Sequence, residues 1–94
     1  NDKGISVGEK TKFVAYKINI LSSKTGIANK DGSTSYIKEI NVDNVDTCME
    51  NYQKKQEFEM GFLNVVKSNC NKENIPNFNK ITNKKFKEII KDNV

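Results

Sequence analysis

Polar and apolar residues alternate most regularly in residues 12–20 of the chain. One face of this segment is wholly apolar and rich in β-branched and aromatic side chains: Val14, Tyr16, Ile18 and Ile20. A period of two with this composition is typical of a β-strand with one buried face. We therefore predict a strand here, and we interpret residues 1–11, which carry two glycines and scattered charge, as a flexible lead-in.

A cluster of turn-forming residues follows at 29–32, with the sequence Asn-Lys-Asp-Gly. Asn, Asp and Gly tolerate the positive φ that hairpin turns need. A reversal here predicts a long antiparallel hairpin over residues 12–42. Because loops on rigid scaffolds commonly contact partners, we predict a partner-contact loop at its tip. That loop consists of Asn29, Lys30, Asp31, Gly32 and Ser33.

The pattern then changes to a helical one, which predicts a helix over residues 44–56. Apolar side chains recur at i, i+3, i+4 and i+7 at Val45, Cys48, Met49 and Tyr52. After Gln56 the period returns to two, which predicts a third strand near residues 58–66. The alternative is a single helix over residues 45–67.

The two cysteines, Cys48 and Cys70, bear on that alternative. One helix over residues 45–67 would hold them about 33 Å apart at about 1.5 Å per residue, whereas a disulfide needs Cα atoms within about 7 Å. A helix followed by a returning strand permits the bond. We predict a Cys48–Cys70 disulfide, which would stabilise the chain by about 3 kcal/mol through loop closure. In the single-helix alternative the cysteines would join different chains.

The C-terminal stretch predicts a last helix over residues 83–93, capped by Thr82. Phe86, Ile89 and Ile90 fall on one face, which we expect to dock on the sheet. The lysines fall on the other face: Lys84, Lys85, Lys87 and Lys91.

These elements together predict an α+β fold: a small antiparallel sheet made of the long hairpin and a third strand, packed by two helices, with one disulfide. Residues 12–94 would form a single domain after the lead-in of residues 1–11. No internal repeat is apparent in the sequence.

The net charge is +4, and every positive side chain is a lysine. Without arginine the chain lacks the bidentate fork used to read guanine edges and to clamp phosphates. Lysine still supplies non-specific phosphate attraction, so a lysine-rich, non-specific nucleic-acid-binding protein is the alternative function.

The chemistry-bearing residues are sparse. The chain has no histidine, the commonest general base and metal ligand, and neither a CxxC pair nor a phosphate-binding glycine motif occurs. We therefore predict no catalytic residue, no cofactor and no metal site.

The lone cysteine pair and the start of the chain without Met favour an extracytoplasmic protein from which a signal peptide has been removed. We predict a small secreted or periplasmic, non-enzymatic protein that acts by protein–protein binding. An inhibitor, an immunity protein or a subunit of a surface or secretion assembly would fit. This prediction does not extend to the partner's identity or the oligomeric state. No segment of the sequence is long and apolar enough to span a membrane as a helix.

Overall fold

The computed structural model describes residues 3–53, 56–70 and 75–93 as one sheet of six strands followed by one helix. The elements are β1 Lys3–Val7, β2 Lys12–Ala15, β3 Ile18–Lys30, β4 Thr34–Tyr52, β5 Phe62–Ser68, β6 Phe78–Lys80 and α1 Asn83–Asn93. Every strand pairing among them is parallel.

Turns of the chain stack on one another, and the pairings of β1 with β3, β2 with β4 and β3 with β4 all have a spacing of 22 residues, as Asn29 and Asn51 illustrate. Lys3 likewise pairs with Thr25, and Thr25 pairs with Thr47. Parallel strands with a fixed spacing along the chain make a solenoid, in which successive layers stack on one another. We number its layers one to four: residues 3–24, residues 25–46, residues 47–53 with 56–68, and residues 69–70 with 75–82.

Layer three is extended at one corner and shortened at another. Ile40 pairs with Ser68, where a constant spacing would pair it with Phe62, so six extra residues lie between β4 and β5. Cys48 and Cys70 return to a separation of 22. Cys70 comes two residues after Ser68, whereas Cys48 comes eight residues after Ile40, the residue that pairs with Ser68. The corner between layers three and four is therefore six residues shorter than the one below it, and we call it the shortened corner.

The layers repeat backbone conformation more than residue identity. Ser22 and Asn44 lie 22 residues apart, and both have positive φ, 52° and 56°. Lys10 and Gly32 are related in the same way, with φ of 55° and 78°. The chain thus has a structural repeat of 22 residues, in which the geometry of the corners recurs most clearly. Identical residues also recur at some of the paired positions, as at Ile18 and Ile40 and at Thr25 and Thr47.

The predicted antiparallel α+β fold is wrong. The turn formers at residues 29–32 do not reverse the chain. Asp31 and Gly32 have positive φ and turn a corner, after which β4 pairs with β3 in parallel, one full layer further on. Residues 12–42 therefore make successive solenoid corners in place of a hairpin.

The helix predicted over residues 44–56 is wrong, and so is the single helix over residues 45–67, because β4 runs through Thr34–Tyr52. Asn44, with φ of 56°, bends this strand at a corner. A period-two pattern interrupted by such a bend imitates helical spacing. The predicted third strand exists as β5, Phe62–Ser68, but its pairing is parallel.

Two terminal segments complete the fold. Within the predicted lead-in, β1 pairs with β3 and is part of the sheet. The predicted C-terminal helix is confirmed as α1, and the Lys85 N–H donates to Thr82 Oγ1 at 3.0 Å, as expected of a cap. Phe86 is fully buried and meets Tyr16 edge-to-face, with ring centroids 5.6 Å apart. The other two residues of the predicted helix face, Ile89 and Ile90, are only half-buried.

The core is a column of aliphatic side chains stacked layer upon layer. Ile5 pairs with Ile27, which pairs with Met49, and Ile18 pairs with Ile40. Its buried members are Ile18, Ile20, Ile27, Ile37, Ile40, Met49, Leu63 and Val65. Burial of such side chains contributes about 1.5–3 kcal/mol each, which makes this column the main source of stability.

Gly26→Ala is expected to lower the free energy of unfolding by about 1–3 kcal/mol, as overpacking does. A Cβ at Gly26 would collide with the carbonyl oxygen of Cys48 in the next layer. The matched control is Gly8→Ala, whose Cβ would meet only the flexible Lys30 side chain, at 3.5 Å. Urea unfolding followed by circular dichroism measures both, and equal stability of the two variants would contradict this close approach.

Candidate functional site

The predicted partner-contact loop forms the corner between β3 and β4. The side chains of Asn29, Asp31 and Ser33 are buried there, and Lys30 and Gly32 are half-buried. The backbone of Asp31 bonds to the layers on both sides: Lys10 N–H donates to its carbonyl at 2.9 Å, and its own N–H donates to the Tyr52 carbonyl at 3.1 Å. Contact with a partner through this loop stays a prediction, and Lys30 offers its most accessible side chain.

Asn29 uses its amide to close this corner. Its Nδ2 donates to the Ser33 carbonyl and to Asn51 Oδ1, both at 2.9 Å, and its Oδ1 accepts from Ser35 Oγ at 2.7 Å. All four residues are buried. An amide both donates and accepts, so it can join groups in its own layer and the next one at the same time.

Asn51 continues the same pattern one layer on. Its Nδ2 donates to the Gly61 carbonyl at 2.8 Å and to the Pro76 carbonyl at 2.9 Å. Asn29 and Asn51 pair in register in the sheet, so their side chains form a buried amide ladder through layers two to four. The role of this ladder is to bind backbone carbonyls at the corner, where the strands are interrupted.

The predicted disulfide between Cys48 and Cys70 is confirmed, with a Cα–Cα distance of 5.9 Å. The position equivalent to Cys48 in the layer below is Gly26, where a Cβ would point at the backbone of the next layer. A side chain at Cys48 therefore points toward layer four, where Cys70 lies. The bond ties the chain to layer three directly after the shortened corner.

An open pocket lies beside the shortened corner, above residues 42–49, and Asp43 and Asp46 contribute carboxylates to it. Asn69 lines the same pocket and takes the place of a strand partner there. Its Oδ1 accepts from the Val42 N–H, and its Nδ2 donates to the Val42 carbonyl, both at 2.9 Å. The amide thus satisfies part of the layer-two backbone that the shortened corner does not cover.

A ladder of alternating charge crosses three layers at the corner after β2. Lys17 lies below Glu39, with Nζ 3.9 Å from Oε2, and Glu39 pairs with Lys67 above it. The pKa of Glu39 is held below its usual value, first by the hydrogen bond that Asn41 Nδ2 donates and then by the nearby lysines, Lys17 foremost. Both side chains of the Lys17–Glu39 ion pair are open to solvent, which screens their attraction. The ladder therefore contributes little to the stability of the fold.

Apolar side chains are open to solvent on the outer side of β2, β4 and β5, which we call the outer face. It includes Lys12, Val14, Tyr36 and Phe62, with Thr34 between Lys12 and Phe62. Val14 is 40% exposed and Phe62 48% exposed, and the Lys12 ammonium lies 6.0 Å from the centre of the Tyr36 ring. Apolar and cationic groups are therefore interleaved on a sheet surface.

Two segments lie at the ends of the outer face. Phe58, in the extra residues of layer three, lies near Lys10 in layer one, with the ammonium 5.6 Å from the ring centre. At the other end, Tyr16 contacts Phe86 of α1 and is still 61% exposed. The outer face thus lies between an aromatic side chain from a loop and one from a corner.

The prediction that Val14 and Tyr16 share a buried face with Ile18 and Ile20 is wrong. The two isoleucines are buried, but Val14 and Tyr16 are exposed. β2 ends at Ala15 and β3 begins at Ile18, and the corner between them reverses which side of the chain faces inward. A second apolar row in the sequence, in which Phe13 and Ala15 pack against the core, is the signal that could have shown this.

Within residues 3–53, 56–70 and 75–93, no group of three or more His, Cys, Asp or Glu side chains is placed to hold a metal ion. The same residues include no helix with the length and apolar character needed to cross a bilayer.

No known protein family, curated protein or solved structure matches this chain.

Asn29→Ala is expected to cost about 2–4 kcal/mol of unfolding free energy, because buried carbonyls lose a donor and a cavity remains. Asn19→Ala is the control: Asn19 is exposed and accepts one long bond, at 3.4 Å, from Asn41. Urea unfolding curves report both changes. A cost for Asn29→Ala no larger than for Asn19→Ala would show that the ladder does not hold the corner.

Reduction of the disulfide is expected to lower stability by about 3 kcal/mol on the loop-closure estimate. Hydrogen exchange, read peptide by peptide with and without reductant, should accelerate first in layer four and α1, since the bond ties layer four to layer three. The Cys48→Ala/Cys70→Ala variant, treated with reductant in parallel, controls for direct effects of the reagent. Uniform acceleration across all layers would contradict a local clamp.

Proposed function

We propose that this chain is an extracytoplasmic, non-enzymatic protein-binding domain, and that it recognises its partner through the outer face. The observation that carries the proposal is the exposure of Val14 and Phe62 beside Tyr36 on one side of the sheet. Exposed clusters of apolar and aromatic side chains mark interaction sites, and aromatic residues are prominent among those that dominate the energy of protein interfaces.

The charge of the outer face defines the partner's chemistry. Lys12 lies within the face, and Lys10 lies at its end beside Phe58. A complementary surface would present apolar side chains flanked by carboxylates, which steer the encounter and fix its register. An acidic, partly apolar surface of a protein is the class of partner we infer.

The disulfide supports the proposed location. Disulfides form and persist in oxidising compartments and are rare in the cytosol. The Cys48–Cys70 bond therefore supports a secreted or periplasmic address for the domain.

The test compares Val14→Ser/Phe62→Ser with Leu21→Ser. Leu21→Ser also replaces an exposed apolar side chain by serine, since Leu21 is 70% exposed. Leu21 pairs with Asp43 at a different corner and lies outside the outer face. A partner captured on the wild-type protein from a cell-surface or secreted fraction is identified, purified and titrated against all three proteins. We expect the double variant to bind at least about tenfold more weakly, equivalent to about 1.4 kcal/mol.

Leu21→Ser should bind like the wild type, and all three proteins should unfold at similar urea concentrations, since these side chains are exposed. Equal binding of the double variant and the wild type would contradict the proposal. Retention on DNA that falls steeply with salt and ignores both substitutions would favour the nucleic-acid alternative.

A further inference from the structure

The first layer of the solenoid has an edge that no described strand covers. β1 pairs only with β3, β2 pairs only with β4, and Ile18–Leu21 of β3 pairs only with β4. In residues 3–53, 56–70 and 75–93, the opposite edge of each of these segments meets no strand. We call this the first-layer edge. Unpaired strand edges present backbone donors and acceptors in a row.

The molecule itself shows what fits such an edge, because layer two covers layer one on its other side. Two apolar residues of layer one, Ile5 and Ala15, remain half-buried, whereas the residues paired with them in layer two are fully buried. Ile5 pairs with Ile27, and Ala15 pairs with Ile37; Ile27 and Ile37 are 0% exposed. A further layer below would bury Ile5 and Ala15 as layer one helps to bury their counterparts.

Charge specifies the covering layer further. At the corner after β2 the side chains read Lys67, Glu39 and Lys17 from layer three to layer one. If the alternation continued into a further layer, a carboxylate would lie below Lys17 and attract it. Lys3, which begins β1, adds a further positive charge to layer one.

We propose that the first-layer edge binds an extended polypeptide layer of a partner protein, which pairs with β1 and β2 and places an acidic side chain beside Lys17. The inference goes beyond the outer face and concerns a different surface. Strand addition to an exposed edge is a recurring mode of peptide recognition, in which main-chain hydrogen bonds supply affinity and side chains supply specificity.

A second copy of this chain does not meet these requirements. Two first-layer edges placed together would bring Lys3 and Lys17 of both copies into one interface, which adds positive charge to positive charge. In the other arrangement, the first-layer edge of one copy would stack on layer four of a second copy. It would then meet β6, which pairs with β5 at an irregular spacing of 15 residues, as Asn64 and Asn79 show. Neither arrangement reproduces the regular layer in which Asn29 and Asn51 are 22 residues apart.

The experiment supplies the layer in tethered form, so the partner need not be known, because tethering raises its effective concentration. A copy of residues 1–22 is placed directly before residue 1 of the full chain, which keeps the regular spacing of layers one and two. One version carries K17E in the copy and one keeps Lys17; in both, the copy carries K3T and K12T, since threonines pair with these two positions in layer two. A third version adds I5P and V14P to the K17E copy and is the control, since proline removes a main-chain donor from each strand that would pair with β1 or β2.

Hydrogen exchange of residues 3–7 and 12–15 is expected to slow at least about tenfold in the K17E version, as amides of a paired strand do. The version that keeps the lysine should protect these residues less, with the difference shrinking in salt. The proline version should exchange like the unmodified protein. This pattern supports the proposal whatever the outcome at Val14 and Phe62.

Three outcomes would overturn it. Unchanged exchange in the K17E version would show that the edge rejects a further layer, as edge lysines do where they block strand pairing. Equal protection with lysine and glutamate would remove the acidic requirement. A concentration-dependent dimer of the unmodified protein, seen by light scattering and abolished by the added layer, would identify the occupant as a second copy.

Discussion

The amide ladder of Asn29 and Asn51 is the interaction that the stacked architecture depends on at its tightest corner. Strand pairing satisfies the backbone along the sides of each layer, but the chain leaves the strands between Lys30 and Thr34. Buried carbonyls there need donors, because an unpaired polar group in the interior costs about 1–3 kcal/mol. One amide per layer supplies them: Asn29 to Ser33 and Asn51 to Gly61. Together with the backbone bonds of Asp31 to the layers on both sides, these amide bonds hold the layers at a fixed spacing at this corner.

The departures from a regular repeat give this stack its particular surface. Layer three gains six residues, which bring Phe58 back beside Lys10 of layer one. The shortened corner then joins layer three to layer four by a short connection. The Cys48–Cys70 bond ties the start of layer four to layer three. The chain continues into α1, where Phe86 is buried beside Tyr16. A short solenoid thus acquires a defined outer face from departures that a strict repeat would not contain.

Local features of the fold can be predicted from the sequence, and its pairing cannot. Residues 83–93 carry their own cap and period, so reasoning about one segment finds the helix. The turn formers at 29–32 mark a change of direction, but positive φ at Asp31 and Gly32 serves a solenoid corner as well as a hairpin reversal. The disulfide prediction is correct although the predicted fold is wrong. Any path that brings the chain back over itself satisfies the bond, and here stacked layers do so instead of a helix and a returning strand.

The outer face could not be predicted from the sequence, because an alternating row of apolar residues does not show which of its members are buried. Val14 and Ile18 share one period-two row, yet the corner at residues 16–17 sends them to opposite sides of the sheet. In a solenoid each corner resets which positions face inward, so an unbroken alternating row can cross from the core to the surface. Stacking then places the outward residues of successive layers beside one another. Val14 in layer one pairs with Tyr36 in layer two, and Phe62 in layer three lies in the neighbouring row, where it pairs with Thr34.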